Sequence, residues 1–208
     1  MGSVVADPRV VALRPEHIEQ CVRLHRQAFP DFFLSQLGPR FLAEFYRAFL
    51  DAPDAVTGVA VDGEGRVLGI VAGTTRPGGF FSRLLKQRWL AFAWASLALV
   101  LRQPSAIPRL LRAVRYRGGV PLQVSGALLS SICVAPEGQG GGIGSLLLRH
   151  FEESIRSLGS AYLVTDRVGN DATNAFYARN GWRLVGSYET PEGRAMNCYV
   201  FDVVQGEM

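Results

Sequence analysis

The sequence predicts a mixed α/β (α+β) fold. Strand-like apolar runs alternate along the chain with stretches whose apolar residues recur at helical period. The 208 residues suffice for one well-packed domain and are marginal for two, so residues 1–208 are expected to form a single domain. Apolar residues make up 48% of the chain, enough for a substantial core.

Taken in order, Val10–Leu13 is a short strand-like run followed by the Arg14-Pro15 turn. Ile18, Cys21, Val22 and His25 then share one helical face. After a loop over 29–39 that contains Pro30-Asp31-Phe32-Phe33, a second helix carries Leu42, Phe45, Tyr46 and Phe49 on one side and stops at Pro53. Ala55–Val61 and Val67–Thr74 form a strand pair around Asp62-Gly63-Glu64-Gly65, a strong hairpin signal. Arg76-Pro77-Gly78-Gly79 breaks the chain. Trp89–Leu101 is a 13-residue run with Ser96 its one polar member. Beyond Pro104 and Pro108, Ile107, Leu110, Leu111 and Val114 make an apolar stripe, and Arg109, Arg112 and Arg115 a basic one. Ala127–Val134 is a strand, Gln139–Gly144 a glycine-rich turn, and Gly144–Leu158 a helix. Ala161–Thr165 is a strand and Asn174–Asn180 a short helix stopped by Gly181. Trp182–Glu189 and Met196–Val203 close the chain as a strand pair around Thr190-Pro191-Glu192-Gly193-Arg194.

Charge is uneven. The net charge is +4, yet no acidic residue stands between Glu64 and Glu137, where ten basic residues do; the rest of the chain sums to −6. Such a stretch attracts anions: phosphates, nucleic acid or an anionic membrane. No apolar run reaches the ~18–20 residues that span a bilayer, and the N-terminal stretch lacks the apolar core of a signal peptide. The three cysteines, Cys21, Cys133 and Cys198, are scattered, and no His/Cys group has metal-ligand spacing. The expectation is a cytoplasmic protein without a metal.

The informative feature is a strand, a glycine turn and a helix: Ile132-Cys133-Val134, then Gln139-Gly140-Gly141-Gly142-Ile143-Gly144-Ser145. Glycines let the backbone approach a ligand at positive φ, and free N–H groups with the helix dipole favour an anion such as a pyrophosphate. Two common phosphate loops do not fit. GxxxxGK[ST] needs a lysine that the turn lacks, and GxGxxG needs glycine where Ile143 or Ser145 stands. Gln-x-x-Gly-x-Gly does fit, at Gln139, Gly142 and Gly144. A second pattern follows in Asn170-Asp171-Ala172-Thr173-Asn174-Ala175-Phe176-Tyr177, with Asn and Tyr seven apart, and then Asn180-Gly181-Trp182.

On these two motifs, from about 127 to 185, the chain resembles the GNAT superfamily of N-acetyltransferases. Thr173 departs from the alanine common there. The resemblance implies a central, mostly antiparallel sheet of about seven strands, with 80–117 as a basic, apolar helical insert. It implies that Ile132, Cys133 and Val134 pair with the pantetheine arm of acetyl-coenzyme A and that Gly140–Ser145 hold the pyrophosphate. It implies that Asn170 bonds the pantetheine and Tyr177 protonates the departing thiolate. The last role is chemically sound on its own, because a thiolate grows more basic as the thioester breaks and a nearby phenol can protonate it.

A base for the incoming amine is harder to find. The fourth strand offers Ser130 and Ser131 rather than a carboxylate, and the fifth ends in Thr165 and Asp166, which makes Asp166 the candidate. Glu192 and Arg194 could contact the acceptor. The reading is transfer of an acetyl or short acyl group to a primary amine of a small molecule, such as an amino sugar or nucleotide-linked amine, by direct attack. Nucleic acid is not an expected partner. Alternatives are a protein N-terminal or lysine acetyltransferase, and a non-catalytic acyl-coenzyme A-binding module. The 80–117 insert is open between a core helix pair, a lid over the acceptor and a peripheral membrane contact.

Overall fold

The computed structural model describes residues 8–30, 33–102, 120–191 and 193–203. Its frame is a seven-stranded sheet in the order β1-β2-β3-β4-β5-β7-β6. The strands are β1 (Arg9–Val11), β2 (Ala55–Val61), β3 (Val67–Thr74), β4 (Ala127–Val134), β5 (Ser160–Asp166), β6 (Arg183–Glu189) and β7 (Ala195–Asp202). All neighbours run antiparallel except β4 and β5. Asp62 closes the β2–β3 turn by accepting from the N–H groups of Glu64 and Arg66.

The helices are α1 (Ile18–Ala28), α2 (Phe33–Gln36), α3 (Pro39–Asp51), α4 (Phe80–Gln87), α5 (Trp89–Arg102), α6 (Ile143–Ser154) and α7 (Asp171–Arg179). α1 and α3–α5 contribute to one core with Ile70, Ala72 and Cys133 of the sheet. α6 and α7 contribute to the other with Val71, Leu129 and Tyr199. The absence of a side chain at Gly69 draws α6 close: a Cβ there would stand 2.8 Å from Leu147 Cδ1. That close packing fixes where the N-terminus of α6 sits relative to β3 and β4.

Some local expectations shift. The helix expected over 144–158 starts at Ile143 and ends at Ser154, with Arg156–Leu158 turning as a 3₁₀ helix that leaves Leu158 half exposed. The helix expected from Asn174 begins at Asp171, and Phe80–Gln87 is a helix of its own. Two of the basic residues of the acid-free stretch find acids on elements brought in by the fold. Arg83 pairs with Asp54, and Arg88 bridges Glu44 at 2.8 Å and Asp51 at 2.7 Å. The stripes of 107–115, together with Asp31 and Glu192, lie outside the described residues.

Candidate functional site

β4 and β5 pair only at Ala127–Ala161 and Leu128–Tyr162. From Leu129 to Val134, β4 keeps its bonds to β3 but has no strand on the β5 side, while β5 pairs with β7 along its whole length. The parallel strands therefore splay into a wedge whose β4 wall offers unpaired backbone groups, a state that calls for a partner. The β3–β4 register also slips between Ala72–Ser131 and Gly73–Leu129, which leaves Ser130 as an extra residue. Such a bulge breaks the alternation of side chains along the strand. Before it, Ala127 and Leu129 face the α6 side; after it, Ile132 and Val134 do, and Cys133 joins the opposite core. Ser130, Ser131 and Ile132 are half exposed at the wedge, as expected for a strand that has lost its neighbour.

The glycine turn lies at the end of this wall. Gly140 and Gly142 adopt φ of 79° and 80°, which favour glycine, and no heavy atom stands within 4 Å of where their Cβ atoms would be. Gly142 precedes α6 with no side-chain cap. The first N–H to find a carbonyl in the helix is that of Leu146, bonded to Gly142 O at 3.0 Å. The N–H groups of Ile143, Gly144 and Ser145 come before it and have no acceptor within the helix. With the helix dipole, they form a place for an anion. Gln139 and Gly141 are exposed beside them. Gly144 has a further reason to be glycine: its Cβ would stand 3.2 Å from the Phe176 ring.

Tyr177 lies on α7 beside this strand. It is 6% exposed, and its ring meets those of Phe176, Trp182 and Tyr199. Its hydroxyl has no hydrogen-bond partner among the described residues. Burial pushes its phenol up, and the nearby Cys133 adds to the shift. Cys133 is itself buried, and burial pushes its thiol up as well. A thiol held protonated is a poor nucleophile, and the buried Cys21, pushed up to about 12, is no better.

The polar groups of α7 are mostly engaged. Asn170 donates its amide to Thr165 Oγ1 at 2.9 Å, which leaves its side-chain carbonyl available. Asn174 has a structural part that its place in the motif did not reveal. Its amide donates to the carbonyls of Asp166 and Asn170, and its oxygen accepts from Asn197 at 2.8 Å and from Tyr199 at 2.9 Å. It thereby ties α7 to β5 and β7. Both carboxylate oxygens of Asp166 accept from Arg194, at 2.7 and 2.8 Å. The candidate base is thus clamped by the guanidinium of the β6–β7 hairpin, a partner 28 residues away in sequence and invisible to local pattern. Glu152 accepts from the Trp182 indole at 2.8 Å. Among the described residues no group of three or more His, Cys, Asp or Glu could hold a metal ion.

A sequence model of the acetyltransferase (GNAT) domain matches residues 111–184, the stretch that carries β4, the turn, α6, β5 and α7. Over that stretch the chain is similar to the GNAT acetyltransferase domain. Its fold is similar to that of a GNAT-family protein from Desulfovibrio desulfuricans, at 14% identity and a TM-score of 0.62 over 95% of this chain and 100% of that one. It is similar to an aminoglycoside 6'-N-acetyltransferase solved with coenzyme A, at 13% identity and a TM-score of 0.60 over 96% and 99% of the two chains. It is likewise similar to a ribosomal-protein alanine N-acetyltransferase from Escherichia coli, at 13% identity and a TM-score of 0.58 over 97% of each chain. No curated protein matches the chain.

Proposed function

We propose that this protein is an acyl-coenzyme A-dependent N-acyltransferase, folded as a single domain, that moves an acetyl or short acyl group to a primary amine of a small molecule. The observation that carries the reading is the wedge: an unpaired β4 wall, a glycine turn with free N–H groups at its end, and beside it a tyrosine hydroxyl without a hydrogen-bond partner among the described residues. Ile132, Cys133 and Val134 offer backbone groups to a pantetheine arm. Gly140, Gly142, Ile143, Gly144 and Ser145 offer N–H groups to a pyrophosphate, with Gln139 and Gly141 flanking it. The free carbonyl of Asn170 suits a pantetheine amide. An amino sugar or nucleotide-linked amine is the acceptor class we favour, because the sequence between Glu64 and Glu137 carries ten basic residues and no acid, which suits an anionic acceptor.

In the proposed reaction the amine nitrogen attacks the thioester carbonyl carbon. The new C–N bond forms, the C–S bond breaks, and the sulfur takes the hydroxyl proton of Tyr177, which is restored from solvent; the nitrogen gives up its extra proton to water. Buried, protonated cysteines fit direct attack rather than an acyl-cysteine intermediate. Asp166, clamped by Arg194, serves in this reading to hold the hairpin beside the acceptor rather than as a free base. The test is release of free coenzyme A from acetyl-coenzyme A across a panel of amines, alongside calorimetric titration. Amine-dependent release is expected. Tight binding with no release would make the protein a binding module, and no binding would remove the reading altogether.

A further inference from the structure

We propose that the α4–α5 arm docks the protein on an anionic membrane surface. α5 buries Phe92, Ala95 and Ser96, and Phe92 packs on Phe41 of α3 with ring centroids 4.8 Å apart. The opposite arc stays open: Trp89 is 62% exposed, Leu90 65% and Trp94 73%, with exposed Ala93 between them. At 100° per residue, positions 89, 90, 93 and 94 share one side of the helix. Scattered apolar residues on a surface need no explanation, but two tryptophans and a leucine on a single arc do.

Charge says what covers them. The stretch from 65 to 136 holds ten basic residues and no acid. Arg66, Arg83 and Arg88 are neutralised by Asp62, Asp54 and the Glu44–Asp51 pair. Lys86 and Arg76 are exposed and have no ion pair among the described residues. Beyond α5, the sequence adds Arg109, Arg112, Arg115 and Arg117. Tryptophans that seat at the headgroup level, a leucine on the same arc, the exposed Lys86 just before α5 and a surrounding sequence without acids match an anionic bilayer surface. A nucleic acid would be served by the cations but not by an unbroken Trp-Leu-Ala-Trp arc. No helix among the described residues is long and apolar enough to cross a membrane. The described part of α5, Trp89–Arg102, is about 21 Å long against a hydrocarbon core of about 30 Å, which suits a helix lying on the surface.

The test uses the full chain with phosphatidylglycerol-containing and pure phosphatidylcholine vesicles. Trp182 is 2% exposed, so a blue shift of tryptophan emission on adding vesicles would come from Trp89 and Trp94. The expected result is co-sedimentation and a blue shift with anionic vesicles only, weakened by salt. A Trp89→Ser, Trp94→Ser double variant should bind those vesicles about tenfold or more weakly, with unchanged melting temperature and acetyl-coenzyme A affinity. Vesicle binding that survives the double variant would overturn the proposal. So would no binding to either vesicle, Trp-dependent binding to RNA instead, or a dimer in light scattering that the double variant converts to monomer. Because cofactor affinity is measured separately, failure here is distinguishable from failure of the acyltransferase reading.

Discussion

The ring of Phe176 lies 3.2 Å from the point where a Cβ on Gly144 would stand, so the glycine turn and the helix bearing Tyr177 touch directly. A side chain at residue 144 must push that ring, and Tyr177 is its neighbour in sequence. Alanine asks for a shift of a few tenths of an ångström; valine's branches ask for more. Gly144→Val is expected to cost about 1–3 kcal/mol of stability. Turnover should fall more than acetyl-coenzyme A affinity does. Thermal melts, calorimetry and initial rates measure the three quantities, and wild-type turnover in a folded variant would show that the contact does not position the tyrosine.

Gly142 separates backbone strain from charge. Its φ of 80° strains any L side chain, but nothing stands within 4 Å of its Cβ direction. Gly142→Ala should therefore lose about 1 kcal/mol of stability, and acetyl-coenzyme A affinity only a few-fold by about that same strain. Gly142→Asp adds a negative charge in front of free N–H groups and should weaken binding by about a hundredfold or more. Equal losses in the two variants, measured by titration calorimetry, would mean that the turn's shape matters and the anion site does not.

Asn174 uses both its amide hydrogens and its oxygen across three elements. Asn174→Ala would leave Asn197 and Tyr199 without their acceptor and two backbone carbonyls without a donor. The expected cost is about 2–4 kcal/mol, read as a lower midpoint in urea. A change below about 0.5 kcal/mol would show that water replaces the side chain.

What was legible in the sequence follows physical range. β2, β3 and β4 have the bounds expected of them, because each is an apolar run closed by turn residues. The glycine turn was legible because glycine at positive φ is a local requirement. The Ser130 bulge was not, since a register slip depends on the partner strand and leaves no mark in the run Ala127–Val134. Nor was the Asp166–Arg194 clamp, which joins residues 28 apart in sequence. The apparent lack of acids near Arg83 and Arg88 had the same cause: their partners sit 29 to 44 residues away.

His25 predicts acid sensitivity. It is 2% exposed, its Nδ1 lies 2.8 Å from the Tyr46 hydroxyl, and burial lowers its pKa to about 4. An unfolded chain would protonate this histidine near pH 6.5. The folded state resists the proton, so the stabilisation is whole above pH 6.5 and is lost as pH falls through about 4. The loss amounts to about 3 kcal/mol. His25→Gln can still meet the Tyr46 hydroxyl but cannot titrate. Its stability should be lower overall and flatter between pH 4 and 6.5. Parallel pH profiles for the two proteins would assign the acid lability to other groups.

Tyr177 is the sharpest test of the proposed chemistry. Tyr177→Phe keeps the ring that packs on Phe176, Trp182 and Tyr199 and removes a hydroxyl with no protein partner among the described residues. Stability should therefore hardly change, and acetyl-coenzyme A affinity should stay within a few-fold of wild type. If the hydroxyl hands its proton to the departing sulfur, turnover falls by roughly ten- to a thousandfold. The pH profile adds a second readout. Burial raises the phenol's pKa, so the proton-bearing form persists as pH rises. The wild-type rate should climb as the acceptor amine loses its proton, with no decline from tyrosine ionisation below about pH 10. Turnover equal to wild type in the phenylalanine variant would mean that water or another group protonates the thiolate, and a wild-type rate that falls above pH 8 would mean that the buried phenol is not the donor.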